Sequence, residues 1–117
     1  MSGTVTHLSQ HDWATKPGRW HGRITGQDLN GPVSILFFSS ATPGAGPVLH
    51  THPYDEIFIC HAGRARFTLG DQVRDAVAGD VLRAPAGMPH KFEVIGPERY
   101  EGIDIHCSPE VIQTDLE

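Results

Sequence analysis

Hydrophobic and polar residues alternate in short runs along the chain, and nearly every run ends at a glycine or a proline. From residue 18 onward, segments rich in β-branched and aromatic side chains recur every eight to ten positions, the pattern of an all-β sandwich or barrel. Strands are predicted over 20–25, 33–40, 48–52, 56–61, 64–69, 72–76, 80–84, 90–95 and 99–106. The breaks between them carry turn residues: Asn30-Gly31, Pro43 to Pro47, Ala62-Gly63, Gly70-Asp71, Ala78-Gly79, Pro85 to Pro89 and Gly96-Pro97. Residues 1–17 are polar and aperiodic and read as an N-terminal arm, which leaves 18–117 as one barrel domain. At the other end, Ser108, Pro109 and Glu110 read as an N-cap, a first-turn proline and an acidic first turn, so a short C-terminal helix is expected over 109–116. Antiparallel strands in so small a domain expose their edges unless the sheet closes on itself, as in a closed jelly roll. Every second residue of each strand then lines the interior.

Composition narrows the function classes. A chain of 117 residues fits one domain with one core. Nine Lys plus Arg against 14 Asp plus Glu give a net charge of -5, and the basic residues are scattered, which argues against a nucleic-acid partner. No apolar run approaches the roughly 18 residues of a membrane helix, and the first 13 residues have neither the basic head nor the apolar stretch of a signal peptide. A cytoplasmic protein without membrane contact is the expectation. Two cysteines, Cys60 and Cys107, make no disulfide framework and fit a reducing compartment. Eight histidines in so short a chain are the feature that asks for a chemical explanation.

His50 and His52 stand two apart on a predicted strand, so both side chains leave one face about 6.6 Å apart by strand rise and can converge on one ion. Glu56 would stand about 13 Å from His52 in a continuous strand. Pro53-Tyr54-Asp55 supplies the turn that brings it back at the start of the next, antiparallel strand. His90 follows the proline-bounded loop 85–89 at the entry of another strand. Three imidazoles and one carboxylate suit one divalent transition metal, with Fe, Mn, Ni, Zn and Cu all open.

These residues resemble the cupin superfamily. Its first motif runs Gly, five residues, His-x-His, three or four residues, Glu, six residues, Gly, and here it reads Gly44, His50, His52, Glu56 and Gly63. The second runs Gly, five residues, Pro-x-Gly, two residues, His, three residues, Asn, and here it reads Gly79, Pro85, Gly87 and His90, with Val94 where the pattern has asparagine. Fifteen residues separate the motifs, similar to small single-domain cupins. The resemblance implies a jelly-roll barrel (a double-stranded β-helix), metal ligation by His50, His52, Glu56 and His90, and a homodimer. A small core that gains by covering its edge strands points the same way, and the arm with Trp13 and Trp20 is the expected packing element.

Strand parity places Phe58 and Cys60 on the face of Glu56, and Phe92 and Val94 on the face of His90. These four are the predicted substrate-contacting residues of a largely apolar cavity, in which the metal alone would orient the substrate. Cys60 reads as an inert buried thiol. His106 on the last strand and Tyr54 in the ligand turn are the acid/base candidates. A metal-dependent enzyme acting on a small organic molecule is the leading expectation, with dioxygenase-type oxidation favoured. The alternatives are a non-catalytic metal or small-molecule binding module, such as a sensor, and a metal-dependent isomerase or lyase.

Overall fold

A computed structural model describes residues 3–117. In chain order its elements are α1 (Gln10–Trp13), β1 (Gly22–Ile24), α2 (Gly26–Leu29), β2 (Ser34–Ser40), β3 (His50–Thr51), β4 (Glu56–Ala62), β5 (Arg64–Leu69), β6 (Gln72–Val77), β7 (Val81–Ala84), β8 (His90–Val94), β9 (Tyr100–His106) and β10 (Thr114–Asp115). Two antiparallel five-stranded sheets face each other, one ordered β1-β2-β9-β4-β7 and the other β10-β3-β8-β5-β6. This is the all-β jelly roll that the alternation predicts. The closure differs from expectation: among the described residues no hydrogen-bonded ladder joins the two sheets, so the barrel is an open pair of sheets. Nor is any helix among those residues long and apolar enough to cross a membrane.

The interior follows the period of two. Glu56, Phe58 and Cys60 are buried on β4, His90, Phe92 and Val94 on β8, and Tyr100, Gly102, Asp104 and His106 on β9. Aromatic rings fill the space between the sheets, with Phe58 and Phe67 centred 5.1 Å apart and Phe38 meeting Phe92 edge-on at 5.0 Å. Each such ring removed from water contributes roughly 1.5 to 3 kcal/mol. Gly63, at a φ of 72°, makes the tight turn from β4 to β5, and a Cβ there would run into the Arg99 carbonyl.

The predicted C-terminal helix is absent. Glu110 N–H does bond to Ser108 Oγ at 3.1 Å, so the local cap signal is real, but it turns the chain without starting a helix. Residues 112–116 instead run along β3: Thr114 and Asp115 pair with Thr51 and His50, and Leu116 N–H bonds to the Leu49 carbonyl at 2.8 Å. A segment of eight residues gains little from intrinsic helix propensity, and the unpaired edge of a two-residue strand competes better for its backbone groups. Part of the N-terminal segment packs on its own chain. Trp13 stacks on Phe37 with ring centres 3.7 Å apart, and Trp20 donates its Nε1–H to the Gly102 carbonyl at 3.3 Å.

Candidate metal centre

The two sheets bring the four predicted ligands together from opposite sides. His50 on β3 and His90 on β8 are direct cross-strand partners, so both imidazoles leave the same face. The turn at residues 53–55 does not fold a hairpin, as the sequence spacing suggested. It carries the chain across to the other sheet, and Glu56 meets the histidines from the facing strand β4. This turn is tied to the loop before His90: Gly87 N–H bonds to the His52 carbonyl at 2.8 Å, and Ala86 N–H to Asp55 Oδ1 at 2.8 Å. Gly87 holds a φ of 80° there, a left-handed conformation that favours glycine. One ligand atom from each of His50, His52, Glu56 and His90 lies within 4.8 Å of the others, and all four residues are buried.

The ring hydrogens decide what this cluster can hold. Nδ1 of His50 lies 2.6 Å from the Val48 carbonyl, that of His52 2.7 Å from the Ile112 carbonyl, and that of His90 2.9 Å from the Met88 carbonyl. A carbonyl only accepts, so each Nδ1 carries the hydrogen and each Nε2 presents a lone pair inward. The Nε2 atoms of His90 and His52 stand 2.9 and 3.0 Å from the same oxygen of Glu56. Lone pairs facing a carboxylate repel until a cation or a proton lies between them. His52 Nε2 is close to Glu56 but wrongly angled, and it has no hydrogen-bond partner. A buried nitrogen of that kind, inside three converging imidazoles and one carboxylate, fits a divalent transition metal.

The electrostatics agree. Burial alone would raise the Glu56 carboxyl, but its contacts with His106, His52 and His90 outweigh burial and hold it far below the usual carboxylate range. Burial lowers His50. It also works against a charge on His52, yet the Glu56 carboxylate and the Ile112 carbonyl prevail and raise that imidazole above its ordinary value.

The family pattern described as "Cupin domain" matches residues 37–106, which include the four ligands. The chain belongs to the cupin family. A Streptomyces coelicolor protein of uncharacterised function is 36% identical over 47 residues, which are 40% of this cupin and 45% of that protein. Bacillus subtilis oxalate decarboxylase at pH 4.6 superposes with a TM-score of 0.81 over 98% of the chain, at 22% identity. Lactobacillus farciminis oxalate decarboxylase in complex with formate gives a TM-score of 0.80 at 24% identity, again over 98%. Another structure of the Bacillus enzyme, in work on its Mn(II) centres, gives 0.72 at 25% identity over 81%. This cupin spans between about a quarter and two fifths of the length of those decarboxylases and under half of the Streptomyces protein.

Tyr54 and His106, the acid/base candidates, lie behind Glu56 in one hydrogen-bonded chain. Tyr54, which as a turn residue would ordinarily be exposed, is only 9% exposed. Its oxygen accepts from Ile112 N–H at 3.1 Å and lies 2.7 Å from His106 Nδ1, while His106 Nε2 lies 3.2 Å from Glu56 Oε2. For a neutral imidazole only one assignment avoids setting a lone pair against the carboxylate: Tyr54 O–H donates to His106 Nδ1, and His106 Nε2–H donates to Glu56. His106 is thus a donor to the ligand, the opposite tautomer from the three ligating histidines.

A cavity of about 420 Å³ opens onto this centre. Phe58 and Phe92 line it beside His50 and Glu56, while Cys60 and Val94 do not and pack behind them in the core. Burial raises the Cys60 thiol, and Tyr100 O–H lies 3.7 Å from its sulfur. The cavity is largely apolar, as parity arguments suggested, with polar exceptions. Asp104, which sequence reasoning missed, lines it, and Arg23 reaches it from β1. Burial, with the charge of Glu56 as a smaller cause, pushes the Asp104 carboxyl well above its ordinary value.

Proposed function

We propose that this cupin is a metal-dependent enzyme that takes a small organic molecule by two of its oxygens and carries out dioxygenase-type oxidation. The observation that carries this reading is the convergence of three carbonyl-locked imidazoles and Glu56 at the edge of a cavity of about 420 Å³, which His50 and Glu56 line and whose size suits a small ligand. When bound, a divalent ion supplies Lewis acidity and, if it is iron, a redox partner for dioxygen. The chain's own part is orientation and exclusion. Phe58, Phe92, Phe38 and Leu36 line the space and keep bulk water from the reacting end. The Tyr54 and His106 chain fixes the Glu56 carboxylate and holds a proton at His106 Nε2.

Arg23 favours a second reading. Among the described residues this guanidinium makes no ion pair, and it lines the cavity, which suits a carboxylate substrate. A metal-dependent lyase that releases carbon dioxide, the activity in the names of the oxalate decarboxylases, would use the same geometry. Iron- and manganese-loaded protein should be tested against carboxylates, catechols, diketones and enols, following oxygen uptake and carbon dioxide release together. Oxidation predicts oxygen consumed in proportion to substrate and lost in His52→Ala. Carbon dioxide without oxygen uptake assigns the lyase, and binding without turnover assigns a non-catalytic module.

A further inference from the structure

The cavity holds a second buried acid that the metal centre does not use. Asp104 stands on β9 one alternation before His106, so its side chain leaves the same face about 6.6 Å along the strand. Its cross-strand partners are Phe58 on β4 and Leu36 on β2, both apolar. It is 6% exposed, it lines the cavity, and its Oδ1 has no hydrogen-bond partner among the described residues. The nearest histidine on its strand, His106, is already engaged by Tyr54 and Glu56. A buried carboxyl oxygen left without a partner is costly, and Asp104 lines the same cavity that opens onto the metal centre.

We propose that Asp104 is the specificity-determining contact of this cavity, accepting a hydrogen bond from a hydroxyl or amine on the body of the ligand, away from the oxygens it offers to the metal. The placement of the chelating end rests on the metal-dependent reading above; the Asp104 contact itself does not. A carboxyl offers an acceptor oxygen whether or not it carries a proton. A ligand that fills the cavity beside Asp104 without offering a donor leaves this buried carboxyl unpaired and loses affinity. Wholly apolar bodies are therefore disfavoured, and bodies with one donor beside Asp104 are selected. The four-ligand geometry alone gives no such selection, because it sees only the chelating end.

Two binding experiments test this on wild type, Asp104→Leu and Asp104→Asn. In the first, metal-loaded protein is titrated calorimetrically with benzohydroxamate and with its 4-hydroxy and 4-amino derivatives. In the second, chelator-treated protein is titrated with toluene and with 4-methylphenol, followed by NMR. The hydroxyl should raise wild-type affinity about tenfold or more in both. That gain should vanish in Asp104→Leu and survive in part in Asp104→Asn, whose side-chain carbonyl still accepts. A wild-type measurement guards against a variant that fails to fold: the Asp104 carboxyl carbon resonance should move with the hydroxylated probe and stay with its parent. The proposal is overturned by a wild-type protein indifferent to the hydroxyl, by a gain that persists in Asp104→Leu, or by an Asp104 resonance that does not respond. If the hydroxamates fail to bind while 4-methylphenol keeps its Asp104-dependent gain, the metal reading falls and the Asp104 contact stands.

Discussion

Tyr54 shows how much of this centre depends on side chains that touch no ion. Its hydroxyl receives the Ile112 N–H and donates to His106, which in turn donates to Glu56. Tyr54→Phe leaves a part-buried amide and a buried imidazole nitrogen without partners. It should cost about 1 to 3 kcal/mol of folding stability and weaken metal affinity by roughly 10-fold or more; calorimetry and chemical denaturation would read both, and an unchanged affinity would remove Tyr54 from the support of Glu56. The raised His52 sets a pH dependence. In chelator-treated protein its proton stabilises the fold below the unfolded imidazole value of 6.5, and that contribution fades as pH rises through the higher folded value. Metal binding runs the opposite way, because the ion must displace the same proton. Apparent affinity should therefore climb with pH from below 6.5 to somewhat above it, and a titration flat in pH would contradict the assignment of His52 as a ligand. Asp104 was not legible in the sequence. On β9 the residues flanking it are Ile103 and Ile105, and hydrophobic alternation alone would turn those two inward. Placing His106 on the metal-facing side would have carried Asp104 inward with it.

At the scale of elements, the alternating segments and their glycine and proline breaks made the strands legible. The four clustered residues, His50, His52, Glu56 and His90, were legible too, from the spacing of two motifs. What failed was the C-terminal helix, read from Ser108, Pro109 and Glu110. The cap bond forms, but the path of the chain beyond it is decided by a distant partner, the open edge of β3, which no local pattern reports. That misread segment matters to function: its Ile112 carbonyl takes the His52 Nδ1–H and its Ile112 N–H meets Tyr54. Deleting residues 112–117 should therefore lower metal affinity by roughly 10- to 100-fold while leaving the far-UV spectrum of a β protein. Full affinity in the truncated chain would show that β3 and His52 need no brace.

The whole molecule is small for its fold. A jelly roll of this size buries about two thirds of its chain surface, and Trp13 of the arm stacks on Phe37 of β2. Some of the apolar residues left in water lie at the outer strands: Val73 and Val77 on β6 and Val81 on β7 are all exposed. A homodimer that covers these strands is the expected state, and light scattering at high concentration that gives the monomer mass would contradict it. The central claim is that His50, His52, Glu56 and His90 form one metal site. It is tested most directly by the metal content of purified wild type beside the His52→Ala, His90→Ala double variant, with folding of both checked by circular dichroism. The account predicts close to one transition-metal ion per wild-type chain and almost none in the folded double variant; equal metal in the two would contradict it.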